Sequence, residues 1–245
     1  MTTSRSRWIR RSLTVVGLLI VGAIATGAYA YPAIAATACP GCYGMERLTP
    51  NLVVESGMPA ATRDQLRSDA EAAEAKVRLF YGVFARYPIL VACSTDECDR
   101  RLGGRGARAV TMTIPFVSII RLAPRGLNLT ILTHEFSHVE LHRRIGVLKL
   151  LRGAIPAWFD EGVAVIVSDD ERYLNPGATA HDRCKREVAR PLPVSAFVWA
   201  PEAGKDPMLY ADAACLAVRW MDINGGRDGV LRQIDAIAEG QDFQP

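Results

Sequence analysis

The chain has 245 residues with 29 Lys and Arg against 26 Asp and Glu, a net charge of +3. Arg5, Arg7, Arg10 and Arg11 precede every acid in the sequence, and without them the balance is 25 against 26. The basic excess therefore sits at the amino end, and no basic surface remains to argue for nucleic acid. About 200 residues lie beyond the first apolar stretch, enough for one domain with a real core.

The four arginines lead into an uncharged run from Ser12 to Pro40. At 1.5 Å per residue, Leu13 to Ala38 is long enough to cross a bilayer core of about 30 Å. The basic flank stays cytoplasmic and places everything after the run outside, in the periplasm or beyond the cell. A run longer than the usual signal core of about 7–15 residues favours a single membrane anchor over residues 1–38. Ala28-Tyr29-Ala30 and Ala36-Thr37-Ala38 suit a signal peptidase, so secretion after cleavage is the alternative. Residues 39–245 then form one exported domain.

Export makes disulfides the default for six cysteines. The spacings suggest Cys39 with Cys42, Cys93 with Cys98, and Cys184 with Cys215. Cys39-Pro40-Gly41-Cys42 also has the form of a redox pair. It lies between an apolar run and a loop, however, without a strand before it and a helix after it. A structural bridge is the better reading, and a zinc site made from both short pairs fits an oxidising compartment less well.

Leu52–Glu55 reads as a short strand. Thr62 to Tyr81 reads as a helix, with Leu66, Ala70, Ala73, Val77 and Phe80 on one face and Gly82 closing it. Pro88 to Ala92 is a buried strand leading into the Cys93–Cys98 segment, and Arg100 to Gly106 is a mobile basic connector without a dinucleotide fingerprint. Val110 to Leu122 is rich in β-branched residues but holds Pro115, which predicts an edge or bulged strand. An exposed edge at that place can hold an extended peptide by main-chain hydrogen bonds.

The next stretch carries the chemistry. Thr133-His134-Glu135-Phe136-Ser137-His138 contains HExxH, which chance would produce in about 3 of 1,000 chains of this composition. Leu129, Leu132, Phe136, Val139 and Ile145 recur at helical spacing, Asn128 can cap the start and Gly146 can end it. On that helix His134 and His138 share one face and can reach one metal ion. Glu135, about 100° round, stands beside the metal, where it can take a proton from water. His142 continues the spacing, but a straight helix cannot wrap three successive turns around one ion. A catalytic zinc site needs a third protein ligand and an open position.

Downstream, Trp158-Phe159-Asp160-Glu161-Gly162 resembles the Trp-x-x-Glu-Gly turn of gluzincins, the zinc metallopeptidases with a second-helix glutamate ligand. The likeness spans roughly His134 to Ser168. It implies Zn2+ held by His134, His138 and Glu161, with Pro156 opening the second helix. Asp160 is the competing ligand, since adjacent helix residues diverge by about 100°. The carboxylate common four residues after the ligand glutamate is replaced by Val165, and Ser168 or Asp169 is left to orient a histidine. No Gly-x-Met-Glu-Asn-type stretch precedes the metal helix, so aminopeptidase specificity is not implied.

The rest reads as helical: a short helix over Arg183 to Ala189, one from Pro207 to about Ile223, and another from Asp228. The resemblance also implies an oxyanion-stabilising Tyr or His beyond the third ligand. Tyr210, on the apolar helix, is preferred over His181 and Tyr173. The expected architecture is α+β: a small mixed sheet with an edge strand, then the HExxH helix, the Glu161 helix and a helical carboxyl-terminal part. The expected function is zinc-dependent hydrolysis of peptide bonds in exported proteins or peptides. Glu135 activates water there and hands its proton to the leaving amine. The alternatives are a catalytically silent exported binding module, a zinc hydrolase of another amide or ester, and a redox protein built on Cys39 and Cys42.

Overall fold

The computed structural model describes residues 14–17, 22, 26–188 and 190–245. Much of the expected membrane segment, residues 1–13, 18–21 and 23–25, lies outside them. Among the described residues no helix is long and apolar enough to cross a membrane. The end of the apolar run, Pro32–Ala38, is a separate short helix, α1, with Pro32 in its first turn. Its Ala33 and Ala36 are buried beside Met45, Val53 and Val91, so α1 packs as part of the globular body.

The architecture is mixed α+β. Strands β1 (Met45–Thr49), β2 (Leu52–Glu55), β3 (Ile89–Ala92), β4 (Ala109–Ile114) and β5 (Val117–Leu122) form one sheet in the order β1-β2-β3-β5-β4. The central pairs β2/β3 and β3/β5 are parallel and the outer pairs antiparallel. Alternation along the strands sorts the two faces. Leu52, Val54, Leu90, Ala92, Ile120 and Leu122 enter the main core, where helices α2 (Ala60–Tyr81) and α4 (Leu129–Ile145) cover the sheet. Val53, Val91 and Ile119 face the other side, toward α1 and the short helix α3 (Asp96–Arg101).

Pro115 does not interrupt a strand. With Phe116 it forms the two-residue loop of a β4–β5 hairpin, where Ile114 pairs with Val117. A proline that cannot donate to a ladder is cheapest in such a turn. The single edge strand expected over 110–122 is thus two strands, of which only β4 is at the edge. Likewise Arg100 and Arg101 end α3 rather than begin the connector, because Thr95 caps that helix by accepting from the Cys98 backbone N–H at 3.2 Å. Asp99 on α3 makes a buried ion pair with Arg121 of β5.

Helix α4 is nearly enclosed. Leu132, Phe136 and Val139 point into the main core, and Phe136 stacks on Phe84 at 5.1 Å. The Asn128 side chain accepts from the Ile131 N–H at 3.1 Å, and Gly146 ends the helix at φ 86°. A short turn, α5 (Val147–Leu151), leads on to α6 (Ala157–Ser168). The predicted helix carrying Cys184 is instead α7 (Ala180–Arg183), with Cys184 just past its end. Helices α8 (Ala196–Lys205), α9 (Leu209–Asn224) and α10 (Gly226–Ala238) complete the chain. Sequence reading missed α8, in which Pro201 breaks the helical pattern. Bridges join Cys39 to Cys42, Cys93 to Cys98, and Cys184 to Cys215.

Candidate metal centre

Three elements meet at the site, and each brings a different group. Helix α4 presents His134 and His138 on one face, as their four-residue spacing requires. Helix α6 lies against it and presents Asp160 and Glu161. Edge strand β4 runs along the other flank of α4. Gly162 sets the depth of the assembly: a Cβ there would stand 2.4 Å from the Ala213 carbonyl oxygen. Without one, the alanine-rich face of α9 closes on α6 and carries Tyr210 to the site.

The donor atoms converge tightly. His134 Nε2 lies 3.1 Å from His138 Nε2 and 3.2 Å from Glu161 Oε2, and His138 Nε2 lies 3.5 Å from the same carboxylate oxygen. These three residues form one of two groups able to hold a metal ion among the described residues; the other is His138, His142 and Asp160. Burial alone would raise the Glu161 pKa, but the His138 and His134 imidazoles outweigh it and bring it to about 2. For His138 burial favours the neutral ring, and the Asp160 and Glu161 carboxylates overcome that and push its pKa well up.

Glu135 stands outside the cluster, 7 % exposed. Thr111 Oγ1 of β4 donates to its Oε2 at 2.6 Å. Asp160, the competing ligand, is directed elsewhere: its Oδ1 lies 2.7 Å from His138 Nδ1 and its Oδ2 2.7 Å from His142 Nε2. His142 is off the ligand face, and Thr113 Oγ1 meets its Nδ1 at 3.1 Å. Neither residue proposed to orient a histidine does so. The Ser168 hydroxyl donates to the Val165 carbonyl, and Asp169 is an exposed left-handed helix cap. The orienting carboxylate is Asp160, one residue before the expected ligand.

Tyr210 is half-buried beside the cluster, its ring 6.2 Å from that of His134. The Glu161 carboxylate first, then burial, hold its phenol far above its ordinary pKa, so it stays a hydrogen-bond donor. Tyr173 sits in a turn, half-buried, and stacks on Tyr210 at 5.2 Å. Trp199 packs edge-on against Tyr210 at 5.6 Å. His181 is exposed on α7. Thr111, Thr113 and Trp199 escaped sequence reading. The alternation of Thr111 and Thr113 on a strand flanking the metal helix was the signal for the first two.

Comparison with known proteins assigns no family: no protein-family model, curated protein or solved structure matches the chain.

Proposed function

We propose that the chain is a zinc-dependent peptidase whose metal is held by His134, His138 and Glu161. The observation that carries this reading is the spacing of the donor atoms. A tetrahedral zinc with bonds of about 2.0–2.1 Å sets its ligand atoms about 3.3–3.4 Å apart. The separations of 3.1, 3.2 and 3.5 Å bracket that edge length. Two imidazoles and a carboxylate are also a donor set of the catalytic type, which leaves a fourth position open.

Zinc bound there would supply a Lewis acid and a more acidic water. The chain's own groups do the rest. Thr111 occupies Glu135 Oε2, so Oε1 is the atom that takes the proton from the attacking water and later hands it to the leaving amine. The Tyr210 hydroxyl, kept protonated by Glu161, donates to the oxygen that gains charge. Edge strand β4 offers its outer main-chain groups to an extended peptide, which favours a peptide over a small amide or ester. Three disulfides fit an oxidising compartment, so the substrate is an exported protein or peptide, and the amino-terminal segment tethers the domain to the membrane. Hydrolysis of an unfolded protein, lost on chelation and restored by zinc, tests the reading. A zinc-loaded protein that leaves peptides intact but cleaves small esters would replace it with the other hydrolase.

A further inference from the structure

HExxH extends here into a third histidine at the same spacing, and His142 has no part in the ligand set. The side chains around it are fully matched in donors and acceptors. Asp160 is a half-buried acceptor with two oxygens, each facing one ring nitrogen at 2.7 Å: His138 Nδ1 on Oδ1 and His142 Nε2 on Oδ2. An ionised carboxylate can only accept, so each of those nitrogens carries its proton. In the neutral ring that binds a metal, this leaves His138 Nε2, the atom that faces His134 and Glu161, with its lone pair. For His142 it leaves Nδ1 as the acceptor of the Thr113 hydroxyl at 3.1 Å. Helix α6, helix α4 and edge strand β4 are joined through this one line of bonds.

We propose, resting on the zinc reading above, that His142 is a positioning residue: through Asp160 it fixes the tautomer and ring orientation of His138, with Thr113 fixing His142 in turn. A carboxylate bonded on one oxygen only can swing about its last torsion and take the histidine with it. The second bond, from His142, closes that motion. A second metal bound by His138, His142 and Asp160 is the rival occupant of the same atoms. It would need both bonded ring protons removed and His138 shared between two ions. The three observed bonds satisfy every one of these polar atoms without it. The cluster also touches the strand on which a peptide would lie, so the line from Thr113 to His138 ties substrate strand and ligand together.

The test is zinc affinity, not turnover. Zinc is titrated into the chelator-stripped full-length protein against a chromogenic competitor. Wild type should bind one zinc. H142A should still saturate at one zinc but bind about 10–100-fold more weakly, the usual cost of losing a group that orients a metal ligand. H142Q, whose amide N–H can still donate to Asp160, should recover most of that loss. T113V, which leaves His142 in place and frees its ring, should weaken binding by about threefold, and it carries the test if H142A does not fold. Wild-type affinity in H142A, or in T113V where H142A does not fold, overturns the proposal while the zinc reading stands. So does an H142Q no better than H142A, or a wild type that takes two ions of which H142A loses one. A wild type that binds no zinc overturns the zinc reading itself.

Discussion

Removing the Cys184–Cys215 bridge should unsettle the wall of the site without unseating its ligands. The bridge closes a loop with a sequence separation of 31. Chain entropy assigns such a cross-link about 3.7 kcal/mol, against about 1.6 kcal/mol for the Cys39–Cys42 bridge with its separation of 3. For a body of about 200 residues, whose unfolding entropy near the midpoint is roughly 0.4 kcal/mol per kelvin, the first loss lowers Tm by about 9 °C and the second by about 4 °C. The longer bridge also has a local duty. Leu174 pairs with Cys184 and the Asn175 N–H donates to the Arg183 carbonyl, so the bond to α9 pins the turn that lays Tyr173 on Tyr210. None of His134, His138 and Glu161 lies in that segment. C184A/C215A should therefore melt about 9 °C lower in a calorimetric scan, bind zinc at near wild-type stoichiometry, and turn over more slowly. Equal melting shifts for C184A/C215A and C39A/C42A would refute the loop-length argument, and loss of zinc from the former would refute the separation of wall from ligands.

Other consequences follow from the same geometry. Glu135→Gln should keep its zinc and lose about 10²–10⁴-fold in kcat, because Thr111 still has an acceptor but the proton carrier is gone; elemental analysis beside kinetics reads both. Tyr210→Phe should keep fold and zinc while kcat falls about 10²–10³-fold at little change in KM, and wild-type turnover would remove it from the mechanism. In the metal-free protein the lowered Glu161 pKa contributes stability above its ordinary 4.5 that is lost as pH falls toward about 2. The raised His138 pKa contributes stability below 6.5 that is lost as pH rises through its folded value. The metal-free Tm should thus peak between about 4.5 and 6.5, and zinc should raise Tm more at pH 8 than at pH 5, where it must displace a proton. If a signal peptidase acts, amino-terminal sequencing should place its cut after Ala30: a cut after Ala38 would discard α1 and its buried Ala33 and Ala36.

Local signals were the legible ones. HExxH with its cap and closing glycine marked α4 because helix periodicity, capping and ligand spacing are all short-range. Cys39 with Cys42 and Cys93 with Cys98 were legible as near neighbours, and Cys184 with Cys215 as the remaining pair. Glu161 was preferred over Asp160 on the resemblance alone, since helix geometry does not say which of the two turns toward the metal. Both face α4, and only the packing of α6, set by the missing side chain at Gly162, turns Glu161 to the Nε2 atoms and Asp160 to the Nδ1 side. The hairpin was misread because Pro115 looked like a flaw in a strand when it was the turn. Thr111 and Thr113 passed unnoticed because their meaning depends on which element lies beside β4, a long-range fact. Helix α8 was missed because Pro201 lies inside it.

The most direct measurement is elemental analysis of the purified protein beside its Glu161→Ala variant. One zinc per chain in the wild type, lost in the variant while the circular dichroism of the two agrees, is the predicted result. A wild type that stays metal-free when offered zinc, or a variant that holds its zinc as firmly as the parent, would contradict the assignment of His134, His138 and Glu161 as a metal site.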